Sequence, residues 1–180
     1  YLSYGEKGFH ETIFFADSAF LNMFTPELIS GSYESFDSRN SIFITEKFAD
    51  KYFGGEDPVG KEMIVSINSQ QLQVYVGGVL RDVPFNSSFT ENALMRIENY
   101  LAFYSLKEND WATAHHAATL FELADISQAT NLARQFQKYT TLRNEVVTQA
   151  GSDFYELLPF SQSVSPNDVR QSDLHLCIPF

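Results

Sequence analysis

The chain has 180 residues, with 12 Lys and Arg against 23 Asp and Glu, giving a formal net charge of −11. Its 44% hydrophobic content is too high for a disordered chain, and its length suffices for one real core or two small lobes. The acidic balance argues against non-specific nucleic-acid binding and against adsorption to anionic lipid. The single Cys excludes an intrachain disulfide.

Taken in chain order, residues 12–17 are rich in strand formers and predict a strand. Phe20, Met23 and Phe24 recur at helical spacing, predicting a short helical turn that Pro26 stops. Residues 31–35 read as a loop, and 41–44 as a buried strand. Thr45 then has the character of an N-cap, since its hydroxyl can accept a backbone N–H of the following turn. Phe48, Ala49, Tyr52 and Phe53 share one face of an expected helix over 45–53, which Gly54 and Gly55 end. Residues 62–67 and 72–76 flank Asn68–Gln71 as a hairpin, with the second strand running on through Gly77-Gly78 to Leu80. Paired glycines inside a strand predict a bulge or a close backbone approach.

Residues 82–88 are turn-rich. Strands are expected at 92–97, 117–123 and 154–158. The longest expected helix spans 128–143, capped by Ser127, with Ala129, Leu132, Ala133, Phe136, Tyr139 and Thr140 as its stripe. Mixed strands, short helices and a hairpin predict an α+β fold with a mixed sheet, not a parallel doubly wound one. Residues 100–150 could form a second lobe within a single domain over 1–180, although no Pro/Gly/Ser linker marks a boundary. No run of about 18 apolar residues is present. The longest apolar cluster, 117–124, is broken by Glu122. The start at Tyr1, without Met and without a leader pattern, is expected of an excised piece of something longer.

Few motifs carry chemistry. Residues 55–61, Gly-Glu-Asp-Pro-Val-Gly-Lys, fit the spacing of a phosphate-binding loop. That loop must follow a strand and open a helix, whereas this one follows a helix and enters a strand. Glu62 stands where Ser or Thr would hold Mg²⁺, Glu56 and Asp57 would repel phosphate, and Pro58 has no N–H to offer. The bland reading is a helix-to-strand connector turned by Gly60. His115 and His116 would point to opposite faces of a strand, and His175 with Cys177 lacks further ligands for zinc, so no metal site is expected. Asn86-Ser87-Ser88 forms a glycosylation sequon that matters only on a glycosylating route. Glu56, Asp57, Glu62 and Asp82 are acidic loop residues whose default is solvation. With no nucleophile–base pair, no catalytic residue is expected, and the phenylalanine excess reads most simply as core.

Residues 41–61, SIFITEKFADKYFGGEDPVGK, and 74–88, VYVGGVLRDVPFNSS, resemble the periplasmic core domain of MacB/FtsX-type ABC transporter permeases. The pattern there is a strand ending in Thr-Glu, a helix closing on Tyr-Phe-Gly, a Glu-Asp-Pro-x-Gly-Lys connector, and a strand with Gly-Val-x-x-Asp-x-Pro. Phe14–Phe24, the 119–123 segment, Trp111 and Leu158-Pro159-Phe160 follow the family layout more loosely. Gly77 stands where a bulkier residue is common, and the resemblance implies that one N-terminal strand is missing and a sheet edge is open.

The residues carried by the motif are Thr45, Gly54, Asp57, Pro58, Gly60, Gly78, Asp82, Pro84 and Asn86, all implied to be structural. The resemblance further implies a non-enzymatic domain between the first two transmembrane helices of a permease, at the periplasmic face of the bacterial inner membrane. It holds no cofactor, ATP being hydrolysed on a separate cytoplasmic ATPase. The implied partners are a second permease copy, that ATPase and a periplasmic adaptor or cargo protein. The expected function is coupling of ATP-driven motion to export or signalling; the alternative is a binding module capturing a peptide or lipoprotein. Residues 174–180 would then approach the second membrane span.

Overall fold

The computed structural model describes residues 1–82, 91–106, 119–120, 122–125, 127–139, 156–159 and 175–178. The chain divides into two compact units, Tyr1–Leu106 and Lys107–Phe180. The boundary lies just inside the region expected as a second lobe, and the second unit runs on past residue 150.

The first unit is built on a sheet of eight strands: β1 (Leu2–Tyr4), β2 (Lys7–Phe9), β3 (Ile13–Ala16), β4 (Leu28–Gly31), β5 (Ser41–Thr45), β6 (Glu62–Ile67), β7 (Gln70–Leu80) and β8 (Ala93–Arg96). The order across the sheet is β2-β1-β6-β7-β5-β8-β3, and β4 also pairs with β7. The β5–β7 and β3–β8 pairs are parallel and the rest antiparallel, so the sheet is mixed, as an α+β reading requires. The long strand β7 has three neighbours. Residues 70–75 pair with β6, 78–80 with β4, and 75–80 with β5.

Each β5 residue is buried, because both faces of the strand are covered. Ile42 and Ile44 enter a core with Phe48, Tyr52 and Phe53 of α2 (Glu46–Phe53) and Phe103 of α3 (Ile97–Phe103). Phe43 points the other way, into a second core with Leu21 of α1 (Ser18–Phe24) and Phe36 of a 3₁₀ helix (Tyr33–Asp37). Alternation along one strand therefore feeds two hydrophobic layers. Each fully buried aliphatic or phenyl side chain contributes roughly 2 kcal/mol.

The hairpin turns on Asn68 and Ser69, both with positive φ (49° and 63°), the primed geometry that matches strand twist. The loop is thus two residues, shorter than the Asn68–Gln71 span expected from sequence. Helix α1 is capped by Asp17, whose Oδ1 accepts from Phe20 N at 3.1 Å, and ends at Thr25 in the left-handed region. Helix α3 follows β8 with no side-chain cap, and is tied down instead by buried Asn99, whose Nδ2 donates to the Arg39 carbonyl at 2.7 Å.

Several sequence expectations need correction. Residues 31–35 are not a loop: Gly31 closes β4, and the 3₁₀ helix begins at Tyr33. Strands β1 and β2 and helix α3 were not anticipated. In the second unit, α4 covers Gln128–Gln137. Ser127 makes no side-chain cap; its own N–H donates to Asp125 Oδ1 at 2.7 Å. Residues 140–143 lie outside the described residues. The described strands of this unit are β9 (Thr119–Leu120), β10 (Glu156–Pro159) and β11 (His175–Ile178), parallel in the order β10-β11-β9. The end of the chain thus contributes a strand. Among the described residues no helix is long and apolar enough to cross a membrane.

Candidate functional site

The described motif residues lie at the two ends of α2, in the connector that follows it, and in or just beyond the strand β7. At the start of α2, Thr45 Oγ1 accepts from Phe48 N at 3.4 Å, the N-cap expected from sequence. Asp82, just beyond β7, adds a second cap. Its Oδ1 accepts from Lys47 N at 3.2 Å, and Asp82 N donates back to Glu46 Oε2 at 3.4 Å. This reciprocal pair places a carboxylate at the positive end of the helix dipole.

Arg81 extends the arrangement. Its guanidinium binds Glu27 through both arms, Nε and Nη2 each 2.7 Å from a carboxylate oxygen, and lies 3.9 Å from Glu46. Hydrogen bonding to Arg81 holds the Glu27 carboxyl below its ordinary range, and the same bond holds the guanidinium protonated.

At the other end of α2, Gly54 takes φ +66° and its N–H caps Asp50 O at 2.9 Å. The connector follows. Asp57 Oδ1 accepts from Val59 N at 3.0 Å, spanning Pro58. Lys61 N donates to the Pro58 carbonyl at 3.0 Å, with Gly60 at φ +80°, so residues 58–61 form a turn that needs glycine at its third position. Gly60 N donates to Val76 O at 2.8 Å and Val76 N to Lys61 O at 2.9 Å, fastening the connector to β7.

These bonds engage the donors that a phosphate loop would have to offer. The N–H groups of Glu56, Val59, Gly60 and Lys61 all donate within the protein, and the Lys61 ammonium pairs with Glu56. That pairing lowers the Glu56 pKa and raises that of Lys61. No N–H of this set faces an open cradle.

The paired glycines do both things expected of them. Gly77 is the extra residue of a bulge, since Ile42 pairs with Val76 and Phe43 with Gly78. A Cβ on Gly78 would lie 2.8 Å from Leu28 Cδ1 and 3.1 Å from Phe43 Cε2. Gly31, read from sequence as part of a loop, packs its backbone directly against that of β7. It has φ +92°, and a Cβ there would lie 2.2 Å from the Gly77 carbonyl oxygen.

The acidic residues do not gather. Glu56 faces Lys61, Asp57 caps a turn, Asp82 caps α2, and Glu62 is exposed at the start of β6. Among the described residues no group of three His, Cys, Asp or Glu side chains is placed to hold a metal. Pro84, Asn86, His115 and His116 lie outside the described residues.

The family of MacB-like periplasmic core domains matches residues 1–139. The chain belongs to this family. Three solved structures share its fold. A domain ascribed to a permease protein of Porphyromonas gingivalis is 22% identical with a TM-score of 0.54, covering 76% of this chain and 64% of its own. The periplasmic region of MacB from Actinobacillus actinomycetemcomitans is 15% identical with a TM-score of 0.53, covering 79% and 62%. The extracellular domain of the noncanonic ABC-type transporter YknZ from Gram-positive bacteria is 16% identical with a TM-score of 0.51, covering 80% and 68%. The chain therefore spans less than two thirds of the first two. No curated protein matches it.

In this MacB-like domain seven residues of the motif read from sequence fall among the described residues. Thr45, Gly54, Asp57, Pro58, Gly60, Gly78 and Asp82 each shape a cap, a turn or a close approach.

Proposed function

We propose that this domain is the periplasmic part of an ABC transporter permease, held at the outer face of the bacterial inner membrane, and that it transmits movement without performing chemistry. ATP would be hydrolysed by a separate cytoplasmic ATPase, and a second permease copy would complete the machine. An adaptor or cargo protein on the periplasmic side would receive the movement as export or as a signal.

The observation that supports this reading most is the internal use of the motif. The connector's backbone donors and the α2 caps are all engaged within the fold, which suits a body that moves as a unit. The test is a cross-link that immobilises this domain in the full transporter, or its deletion. Export or signalling should be lost while ATPase assembly persists. Unchanged export or signalling in cells overturns the reading.

A further inference from the structure

Strands β2, β1, β6 and β7 lie side by side as the antiparallel half of the sheet. On one face, Met63, Val65, Val74 and Val76 enter the core with α2. Alternation sends Glu62, Ile64, Ser66, Gln73 and Tyr75 to the other face. The register sets Gly8, Ser3, Ile64 and Gln73 in one row across the four strands, with Glu62 opposite Tyr75 nearer the rim. Ile64 and Tyr75 are 39% and 44% exposed.

Two properties mark this face. Among its described strand residues Glu62 alone is charged, in a chain whose net charge is −11. Its halves also differ in height. Ile64, Gln73 and Tyr75 project from β6 and β7, whereas Ser3 and Gly8 keep β1 and β2 low. The exposed Tyr1 ring lies where a side chain on Gly8 would be, edge-on to His10 at 5.4 Å.

These properties select the occupant. A basic partner would gain little from a face so poor in charge. A second copy of this acidic chain is repelled least at that face. A two-fold axis lays the high half of each copy over the low half of the other, so one patch serves both sides. Facing sheets stand about 10 Å apart, a gap that projecting Ile and Tyr side chains fill.

The area fixes the strength. Four strands about 4.8 Å apart, each contributing about five residues of about 3.4 Å, give a footprint of roughly 19 by 17 Å. Two such footprints fall short of the about 1,600 Å² that stable complexes bury. Free domains should therefore pair only at roughly millimolar concentration, which is the effective concentration that a shared tether supplies.

We propose that this face pairs weakly and symmetrically with the same face of a second copy, Ile64 and Tyr75 of each seated over Ser3, Gly8 and Tyr1 of the other. Its use in a transporter rests on the second permease copy proposed above; the pairing itself does not.

The experiment is a dilution series of the ¹⁵N-labelled chain from millimolar to micromolar, read by NMR and by sedimentation equilibrium. Amide shifts should concentrate at Gly8, Ile64, Gln73 and Tyr75 and spare Lys47 and Asp50 of α2, and sedimentation should stop at a dimer. Ile64→Lys and Gln73→Lys, both at exposed positions, should melt like the parent and weaken pairing at least about tenfold. Added salt screens the shared negative charge and should tighten the pairing, whereas a contact built on ion pairs would loosen. The proposal fails if no shift depends on concentration, if shifts gather on α2, if growth passes the dimer, if both Lys variants pair as tightly as the parent, or if salt loosens the pairing. None of these results touches the permease reading, whose own test is export in cells.

Discussion

Asp82 caps helix α2 from a distance of 36 residues along the chain, exchanging hydrogen bonds with Lys47 N and the Glu46 carboxylate. Together with Thr45 it satisfies two of the four free N–H groups at that helix start. The helix is thereby fixed to the end of β7 as well as to β5.

Thr45 caps its helix with its side chain and Ser127 does not. Thr45→Ala should destabilise the first unit by about 1 kcal/mol, the usual worth of a threonine cap. Ser127→Ala, at a position with no side-chain cap bond, should change stability by less than about 0.5 kcal/mol. Urea denaturation of the two variants decides this.

Gly31 should be the least replaceable glycine in β4 and β7. Gly31→Ala sets a Cβ against backbone atoms, the Gly77 carbonyl and Gly78 Cα, at a positive φ. A loss of at least about 2 kcal/mol is expected. Gly55→Ala meets nothing within 4 Å and has no positive φ, so it should be nearly neutral. Thermal melting compares them.

Tyr52 combines packing with a buried hydroxyl. Its ring stacks on Phe48 at 4.3 Å, and the hydroxyl donates to the Leu2 carbonyl at 3.3 Å and lies 3.4 Å from Glu11 Oε1. Tyr52→Phe should cost about 1 kcal/mol and Tyr52→Ala about 3–5 kcal/mol. Burial, then the Glu11 charge, raises the phenol pKa well above its ordinary value. A raised folded-state pKa gives stability that is complete below the unfolded value of about 10 and is lost as pH rises beyond it. Stability should therefore fall with alkali above that point, and Tyr52→Phe should flatten the fall.

The acid limb should report Glu98. Its carboxylate pairs with Arg96, whose hydrogen bonds lower its pKa. The stability this contributes is present above the unfolded value of about 4 and lost as pH falls through the lower folded one. Glu98→Gln should leave a shallower decline in denaturant midpoint below pH of about 4.

What could be read from the sequence was what has a period or a cap of its own. Helix α2 has both an apolar face and Thr45, and the β6–β7 hairpin alternates over many residues. The strands β1 and β2 are three residues each and contain or adjoin Gly5 and Gly8, too short for alternation to register. Helix α3 has no capping side chain, its anchor being the distant carbonyl of Arg39. For the motif, spacing gave turns and caps, while the partnership of Asp82 with Glu46, and of Arg81 with Glu27, exists only after β7 has crossed the sheet.

Strand β7 also decides how a pull would travel. It runs parallel to β5 over 75–80 and holds β6 and β4 end to end along its other edge. Tension entering along β5 would load the β5–β7 ladder in shear, all its hydrogen bonds bearing together. Tension lifting β4 away would open Leu28, Ser30 and Gly31 one rung at a time. The same strand is thus stiff lengthwise and peelable sideways, with Gly77 and Gly78 marking where the two responses meet.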